Sequence, residues 1–393
     1  MLHSDRLSAR IRSAKASTTV ALADRAAQMK QEGIDVIALA AGEPDFDPPQ
    51  AIVQATIQAI QDGFTHYTPS RGLPEVRQAI ASWMGQTKGL TVNPKTEILL
   101  TPGAKQAIYY ICQSLLEDGT EALCPDPYWV SYREQVVLAG GTFVPVPTDP
   151  KRGFALTRDA LAAKVTDRSR LILTNSPSNP TGHVFTLEEM TAIRDIAVEH
   201  DLIVMSDEIY EGILYDGHEH RPLATLDGMA DRTLTVSGFS KCFAMTGFRF
   251  GYVSGPADLI SALNKLQQHS ATCPAAFVQR SVLGLLDKLD EDVASMNRAF
   301  DRRRHLVVDG LNKIEGLSCA LPDGAFYAFV DVTGLGKSSR DLALELLEKS
   351  HVVLIPGSAF GDCGEGYLRL SFALDDSRLE EAVSRIAEFV ARS

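Results

Sequence analysis

Short apolar runs rich in β-branched residues alternate with longer stretches of helical periodicity along most of this chain, and that alternation narrows its fold more than any other feature. The runs are EILLT (97–101), RLILTN (170–175), LIVMSD (202–207), TLTVSG (233–238) and FGYVSG (250–255). Between them, residues 105–116 place Ile108, Ile111, Cys112 and Leu115 at i, i+3, i+4 and i+7, the spacing of one helix face. A second helix is predicted over 187–200, with Thr186 as its N-cap and Glu189 three residues on to close a capping box. Strands joined by helices are covered on both faces, so the pattern predicts an α/β fold with a mostly parallel central sheet between helices.

Both ends of the chain read differently. Residues 1–46 are helical and then irregular, and the turn-rich AGEPDFDPP begins at residue 41. Beyond about 275 come long helical patterns, DGAFYAFVDV, HVVLIPG and a last helix over about 376–391. They predict a large domain over 47–275 and a smaller α+β domain from 1–46 and 276–393. A length of 393 residues accommodates this division.

The hydrophobic share of 45% and charged share of 22% are ordinary for a globular protein and exclude disordered, collagenous and coiled-coil classes. With 38 Lys+Arg against 50 Asp+Glu the net charge is −12, which argues against a nucleic-acid grip. It leaves room for a small anion in a locally cationic site. The cysteines at 112, 124, 242, 273, 319 and 363 form no C-x-x-C pair, so a reduced, cytoplasmic setting is expected. The N-terminal stretch lacks the apolar core of a signal peptide, and no run of 18 apolar residues occurs.

Several constellations carry chemistry. In SGFSKCFAMTGFRFGY (237–252), Lys241 follows a strand, near Ser237, Ser240, Thr246 and Arg249. A lysine beside a second cation can lose its proton and act as a Schiff-base nucleophile, while arginine and hydroxyls suit a phosphate. Taken alone, Lys241 reads as a solvated surface charge, and its context must decide. In SDEIY (206–210), Asp207 ends a buried strand, where it can cap a helix or pair with the protonated ring nitrogen of pyridoxal phosphate (PLP). Asn175 opens the turn NSPSNPTG (175–182), either an ordinary loop or an amide donor to a ligand oxygen. Gly103 in TPGAKQA (101–107) stands at a strand–helix junction, where backbone N–H groups attract anions. Tyr128 and Trp129 in PYWVSY (127–132) offer rings to stack on a flat ligand or to fill core.

Other signals fail. No G-x-G-x-x-G follows a strand and no G-x-S-x-G occurs, while GKS at 336–338 lacks the upstream glycine of a phosphate loop, Asp331 standing there. His218-Glu219-His220 hints at metal, but its turn-rich flanks favour a surface loop.

The order AGEPDFD (41–47), YTPSRG (67–72), GAKQA (103–107), PDPYW (125–129), NSPSNPTG (175–182), SDEIY (206–210), SGFSK…MTGFRFG (237–251), DGAFY (323–327) and LRLSFA (368–373) resembles the fold-type-I PLP-dependent class I aminotransferases, most closely the bacterial and plant aspartate (prephenate) subgroup. The resemblance covers nearly the whole chain. It implies that Lys241 carries the cofactor as a Schiff base and moves the proton. Asp207 meets the ring nitrogen, Tyr210 and Asn175 the ring 3-oxygen, and Trp129 stacks on the ring. Gly103, Ala104 and Lys105, with Ser237 or Ser240 and Arg249, hold the phosphate, and Tyr67 reaches it from the second subunit of a homodimer. Arg369 and the Gly42 backbone take the substrate α-carboxylate, joined by Trp129 and Asn175, and Phe326 shapes the pocket nearby. Lys105 and the hydroxyls of Ser17, Thr18 and Thr19 face a distal carboxylate. Arg71 offers a second distal anion site or a solvated loop charge, and His269 reads as structural.

The expected reaction is ping-pong transamination, with L-aspartate and 2-oxoglutarate giving oxaloacetate and L-glutamate. Alternatives are an aromatic or prephenate aminotransferase and a C–S β-lyase. A PLP-binding DNA regulator needs an arm for which the segment before AGEPDFD is short. No membrane, nucleic-acid or metal partner is expected.

Overall fold

The computed structural model describes residues 6–14 and 18–392, with the side chains of 18–21, 23 and 287 outside that description. A two-residue strand, β1 (Ile37–Ala38), precedes the central sheet. That sheet is built from β2 (Ile98–Thr101), β3 (Glu121–Asp126), β4 (Thr142–Pro147), β5 (Ser169–Asn175), β6 (Ile203–Asp207), β7 (Thr233–Gly238) and β8 (Gly251–Ser254). Their spatial order is β2-β8-β7-β6-β5-β3-β4. From β7 through β4 all pairings are parallel, and β8 alone runs antiparallel to its neighbours β7 and β2. The mostly parallel sheet read from the apolar runs is therefore present, and every residue of β2, β7 and β8 is buried.

Helices cover the sheet for the reasons their spacing gives. The helix Ala104–Leu115 buries Ala107, Ile108, Ile111 and Cys112 against Leu99, Leu171, Val236 and Val253 of the strands. The helix Leu187–Glu199 opens with the capping box read from the sequence: Thr186 accepts from the Glu189 N–H, and the Glu189 carboxylate accepts in return from the Thr186 N–H at 2.8 Å. Ile193 and Ile196 of that helix pack with Leu123, Ile172 and Val204.

A second, four-stranded antiparallel sheet follows, made of β9 (Ser318–Cys319), β10 (Tyr327–Asp331), β12 (Ile355–Pro356) and β13 (Tyr367–Ser371), in the order β12-β13-β10-β9. Between β10 and β12 runs β11 (Val352–Val353), which pairs in parallel with β1 from the other end of the chain, Ile37 opposite Val352. The last helix, Asp376–Arg392, turns Leu379, Ala382, Ile386 and Phe389 inward against Leu368, Leu370 and Val330. No helix among the described residues is long and apolar enough to cross a membrane.

Candidate active site

The carboxyl ends of β5, β6 and β7 open on a cavity of about 430 Å³, the place where ligands of open α/β sheets bind. Asn175 ends β5 and Asp207 ends β6, opposite one another in register. Asn175 donates from Nδ2 to the Asp207 carbonyl at 2.9 Å and accepts at Oδ1 from the Asn179 N–H at 2.8 Å. An amide nitrogen carries two hydrogens, and Asn175 Nδ2 makes this one bond among the described residues.

Asp207 is buried, accepting from the Tyr132 hydroxyl at 2.6 Å and the Ile209 N–H at 3.2 Å. Burial pushes its pKa up to about 6 against the pull of these bonds. Tyr210, one turn further, shares a hydrogen bond of 2.9 Å with the Tyr327 hydroxyl, and burial raises its pKa.

Lys241 lies three residues past the end of β7 and projects into the same cavity. Its ammonium donates to the Gly42 carbonyl and stands 5.9 Å from the Phe326 ring centroid. Burial lowers its pKa to about 8; Glu43 opposes this, while Arg249 and Arg369 add to it. Glu43 in turn accepts from the Thr246 hydroxyl at 2.9 Å, tying the segment after β1 to the Lys241 loop.

Cations gather on one side. The helix Ala104–Leu115 begins at Gly103 with no side chain capping it, so its first N–H groups are left for another partner. A Cβ on Gly103 would lie 2.6 Å from Arg249 Nη2, so the guanidinium fits only because this residue is glycine. Lys105 sets its ammonium 4.8 Å from the Trp129 ring centroid, and burial followed by Arg249 lowers its pKa. At the other side, Arg369 is buried over the Tyr327 and Phe360 rings. It donates to Asn179 Oδ1 at 2.9 Å and to the Ala40 carbonyl at 2.7 Å, and its Nε has no partner among the described residues.

The cavity thus gathers Gly42, Ala104, Lys105, Trp129, Asn175 and Asp207, together with Tyr210, Ser240, Lys241, Arg249 and Arg369. Other expected residues stand elsewhere. Ser237 turns away and donates to Glu211 Oε1 at 2.8 Å, which leaves Ser240 as the serine of the wall. Phe326 is buried behind the wall, where Tyr327 takes the lining position. Tyr67 is 87% exposed in the single chain. Ser17 and the side chains of Thr18 and Thr19 lie outside the described residues.

Arg71 is half-buried, and its guanidinium donates from Nη1 to the Lys95 and Thr96 carbonyls. His269 closes the helix Ala257–Gln268 as its C-cap. The 218–220 segment is only partly a surface feature, because His220 turns inward to Glu208 at 2.7 Å. Sequence reasoning missed Tyr132 and Tyr327. Tyr132 lies three residues after Trp129, a helical spacing that puts both rings on one side of the chain.

Comparison with known proteins agrees with this geometry. A model of the class I and II aminotransferases matches residues 34–386. The aspartate aminotransferase of Pyrococcus abyssi is 44% identical over 367 residues, 93% of each chain. The aromatic-amino-acid aminotransferase 2 of Thermococcus litoralis is 42% identical, covering 90% of this chain and 92% of its own. The crystal structure of the aspartate aminotransferase from Rhizobium meliloti superposes with a TM-score of 0.95 at 38% identity, over 98% of this chain and 99% of that one. The chain therefore belongs to the class I and II aminotransferases.

Proposed function

We propose that the chain exchanges an amino group between L-aspartate and 2-oxoglutarate, using PLP seated in the cavity at the strand ends. The observation that carries this reading is Lys241, with its lowered pKa of about 8, sharing a cavity with buried Asp207 and with an Arg369 whose Nε is unpartnered. PLP fits the donor set. Lys241 would hold it covalently, Asp207 at the ring nitrogen, and Tyr210 with the second Asn175 amide hydrogen at the 3-oxygen. Trp129 would cover the ring. The uncapped helix start at Ala104 and Lys105, with Ser240 and Arg249, would hold the phosphate.

Bound there, PLP supplies a carbonyl carbon for the amine and a ring that takes up the electron pair released at the substrate Cα. Asp207 keeps a proton at the ring nitrogen. Arg369 and the Gly42 backbone orient the substrate carboxylate, so that the Cα proton is delivered to Lys241 Nζ, whose neutral form takes it and later returns it. Lys105 is the cation assigned to a distal carboxylate. The aspartate aminotransferases among the relatives support the substrate, and the Thermococcus enzyme supports an aromatic amino acid as the second reading.

A homodimer is part of the proposal, with Tyr67 of the partner subunit at the phosphate. So are a cytoplasmic setting and a large unit over 47–275 beside a smaller one from 1–46 and 276–393. The pairing of β1 with β11 favours that division. A panel of amino donors, assayed with 2-oxoglutarate, oxaloacetate, pyruvate and prephenate as acceptors, tests the reading. Aspartate with 2-oxoglutarate should be the preferred pair, and preference for an aromatic donor would move the assignment to the second reading.

A further inference from the structure

A second set of buried ionisable groups lies behind the cavity and has no part in the chemistry above. The segment 206–211, Ser-Asp-Glu-Ile-Tyr-Glu, offers Asp207 and Tyr210 to the cavity. Its other two carboxylates, Glu208 and Glu211, are 2% and 5% exposed and point into the interior. Glu208 accepts from the Ser206 hydroxyl at 2.8 Å and is bonded to His220 Nε2 at 2.7 Å. Glu211 accepts from Ser237 at 2.8 Å and pairs with the Lys88 ammonium, which also donates to the Tyr252 hydroxyl at 2.9 Å. His220 Nε2 is 4.0 Å from Glu211 as well.

Glu208, Glu211 and His220 bring their ligand atoms within 4.8 Å of one another, as a metal site would. The Lys88 ammonium already supplies a cation to Glu211, however, so the cluster is an ion-pair network. Two carboxylates and one ammonium leave a net negative charge, and a protonated His220 brings the sum to zero. An uncompensated charge in such a place is costly, so the fold favours the proton. Burial works against it, but Glu208 and then Glu211 outweigh burial and hold the His220 pKa above the ordinary 6.5.

We propose that charged His220 is a positioning residue for the reaction: through Glu208 and Glu211 it holds the segment that presents Asp207 and Tyr210 to the cofactor. This rests on the aminotransfer reading above. The groups facing His220 are Glu208 and Glu211 on that segment and Lys88 at the end of the helix Pro74–Lys88, with Tyr252 of β8 behind it. Glu219 and Arg221 flank it, and Ser176, Val184, Phe185, Met190 and Leu223 complete the recess without further charge. As pH rises past the His220 titration, the network gains one negative charge and the segment loosens.

Histidine ring resonances of the chain without added PLP give the first test. One ring, absent from H220Q, should titrate above the ordinary value of about 6.5, and E208Q should lower its midpoint. A midpoint at or below that value would overturn the proposal. In the holoenzyme, H220Q should lose roughly tenfold in kcat and in PLP affinity at neutral pH, less than the about 100-fold of a 1 Å misplacement at a reacting centre. The KM for the amino donor should hold within about twofold, since Arg369 is untouched. The parent should show an alkaline fall of kcat at the His220 midpoint, and H220Q should lack it. H220Q/E208Q, which restores neutrality, should recover most of the loss. Unchanged kcat, affinity and pH profile in H220Q, or a double variant as impaired as the single one, would refute the charge-balancing role. If the chain bound no PLP the aminotransfer reading would fall, while the titration would still decide the network.

Discussion

Lys241 is held between opposing influences at the scale of a single side chain. Burial removes stabilisation from its ammonium, Glu43 restores some, and Arg249 and Arg369 remove more, leaving a pKa of about 8 against 10.5 for an ordinary lysine. An acylating reagent that attacks neutral amines should therefore label Lys241 in the cofactor-free chain at a rate rising through about pH 8. A midpoint near 10.5 would mean that burial does not control this amine. Lys105 yields a different expectation. Lys105→Ala should cost aspartate on the order of 2–3 kcal/mol in kcat/KM, the scale of one lost charge-assisted bond, and alanine or phenylalanine much less. Steady-state kinetics with the three donors decides it, since equal losses would reassign Lys105 to the phosphate. The placing of Lys241 and Asp207 at one cavity was legible because strand ends hold them there. The choice between Ser237 and Ser240 was not, because Ser237 lies within β7 and Ser240 two residues past its end, and neither position says which way the cavity lies. Tyr132 was illegible for a related reason: its donation to Asp207 links β6 to a helix 75 residues earlier, a contact no local pattern encodes.

Whole elements carry the site by their ends. The helix Ala104–Leu115 starts at Gly103 with φ +82°, and the Arg249 guanidinium fills the space where a side chain would begin. Gly103→Ala should strain the backbone by about 1 kcal/mol and push Arg249 aside, so PLP affinity should fall by roughly tenfold with the fold intact. Equilibrium binding of PLP, with circular dichroism to confirm the fold, measures this; unaltered affinity would show that Arg249 does not serve the phosphate. The helix Leu187–Glu199 was read correctly from Thr186 and Glu189 because a capping box is written in four consecutive residues. The strand β4 was not read at all. Its sequence TFVPVP carries two prolines, which argue against a strand, yet β4 lies at the sheet edge, where a missing N–H costs no ladder bond.

At the scale of the whole molecule the proposed homodimer can be tested. Tyr67 is 87% exposed in the single chain, far too open for a residue assigned to a phosphate unless a second copy of the chain covers it. Mixing Lys241→Ala chains with Tyr67→Ala chains tests this. If sites are shared, each mixed dimer has one site with both lesions and one intact, and activity should return to about a quarter of the parent value. No recovery on mixing would place Tyr67 outside the partner's site. The joining of the two chain ends was legible only in outline, as a change of rhythm toward both of them, because β1 is two residues long and pairs with β11 from the far end of the chain.

That pairing also sets a timetable for synthesis. Ile37 leaves the ribosome 315 residues before Val352, so at roughly 5–20 residues per second β1 waits about 15–60 s for its partner. Gly42 and Ala40, which follow β1, face Lys241 and Arg369 only after that interval. The central sheet, complete at Ser254, can therefore form on the nascent chain while the substrate side of the site is still missing. An emerging chain stalled between residues 254 and 352 should present the wall that bears Lys241 and Asp207, but no means of gripping an amino acid.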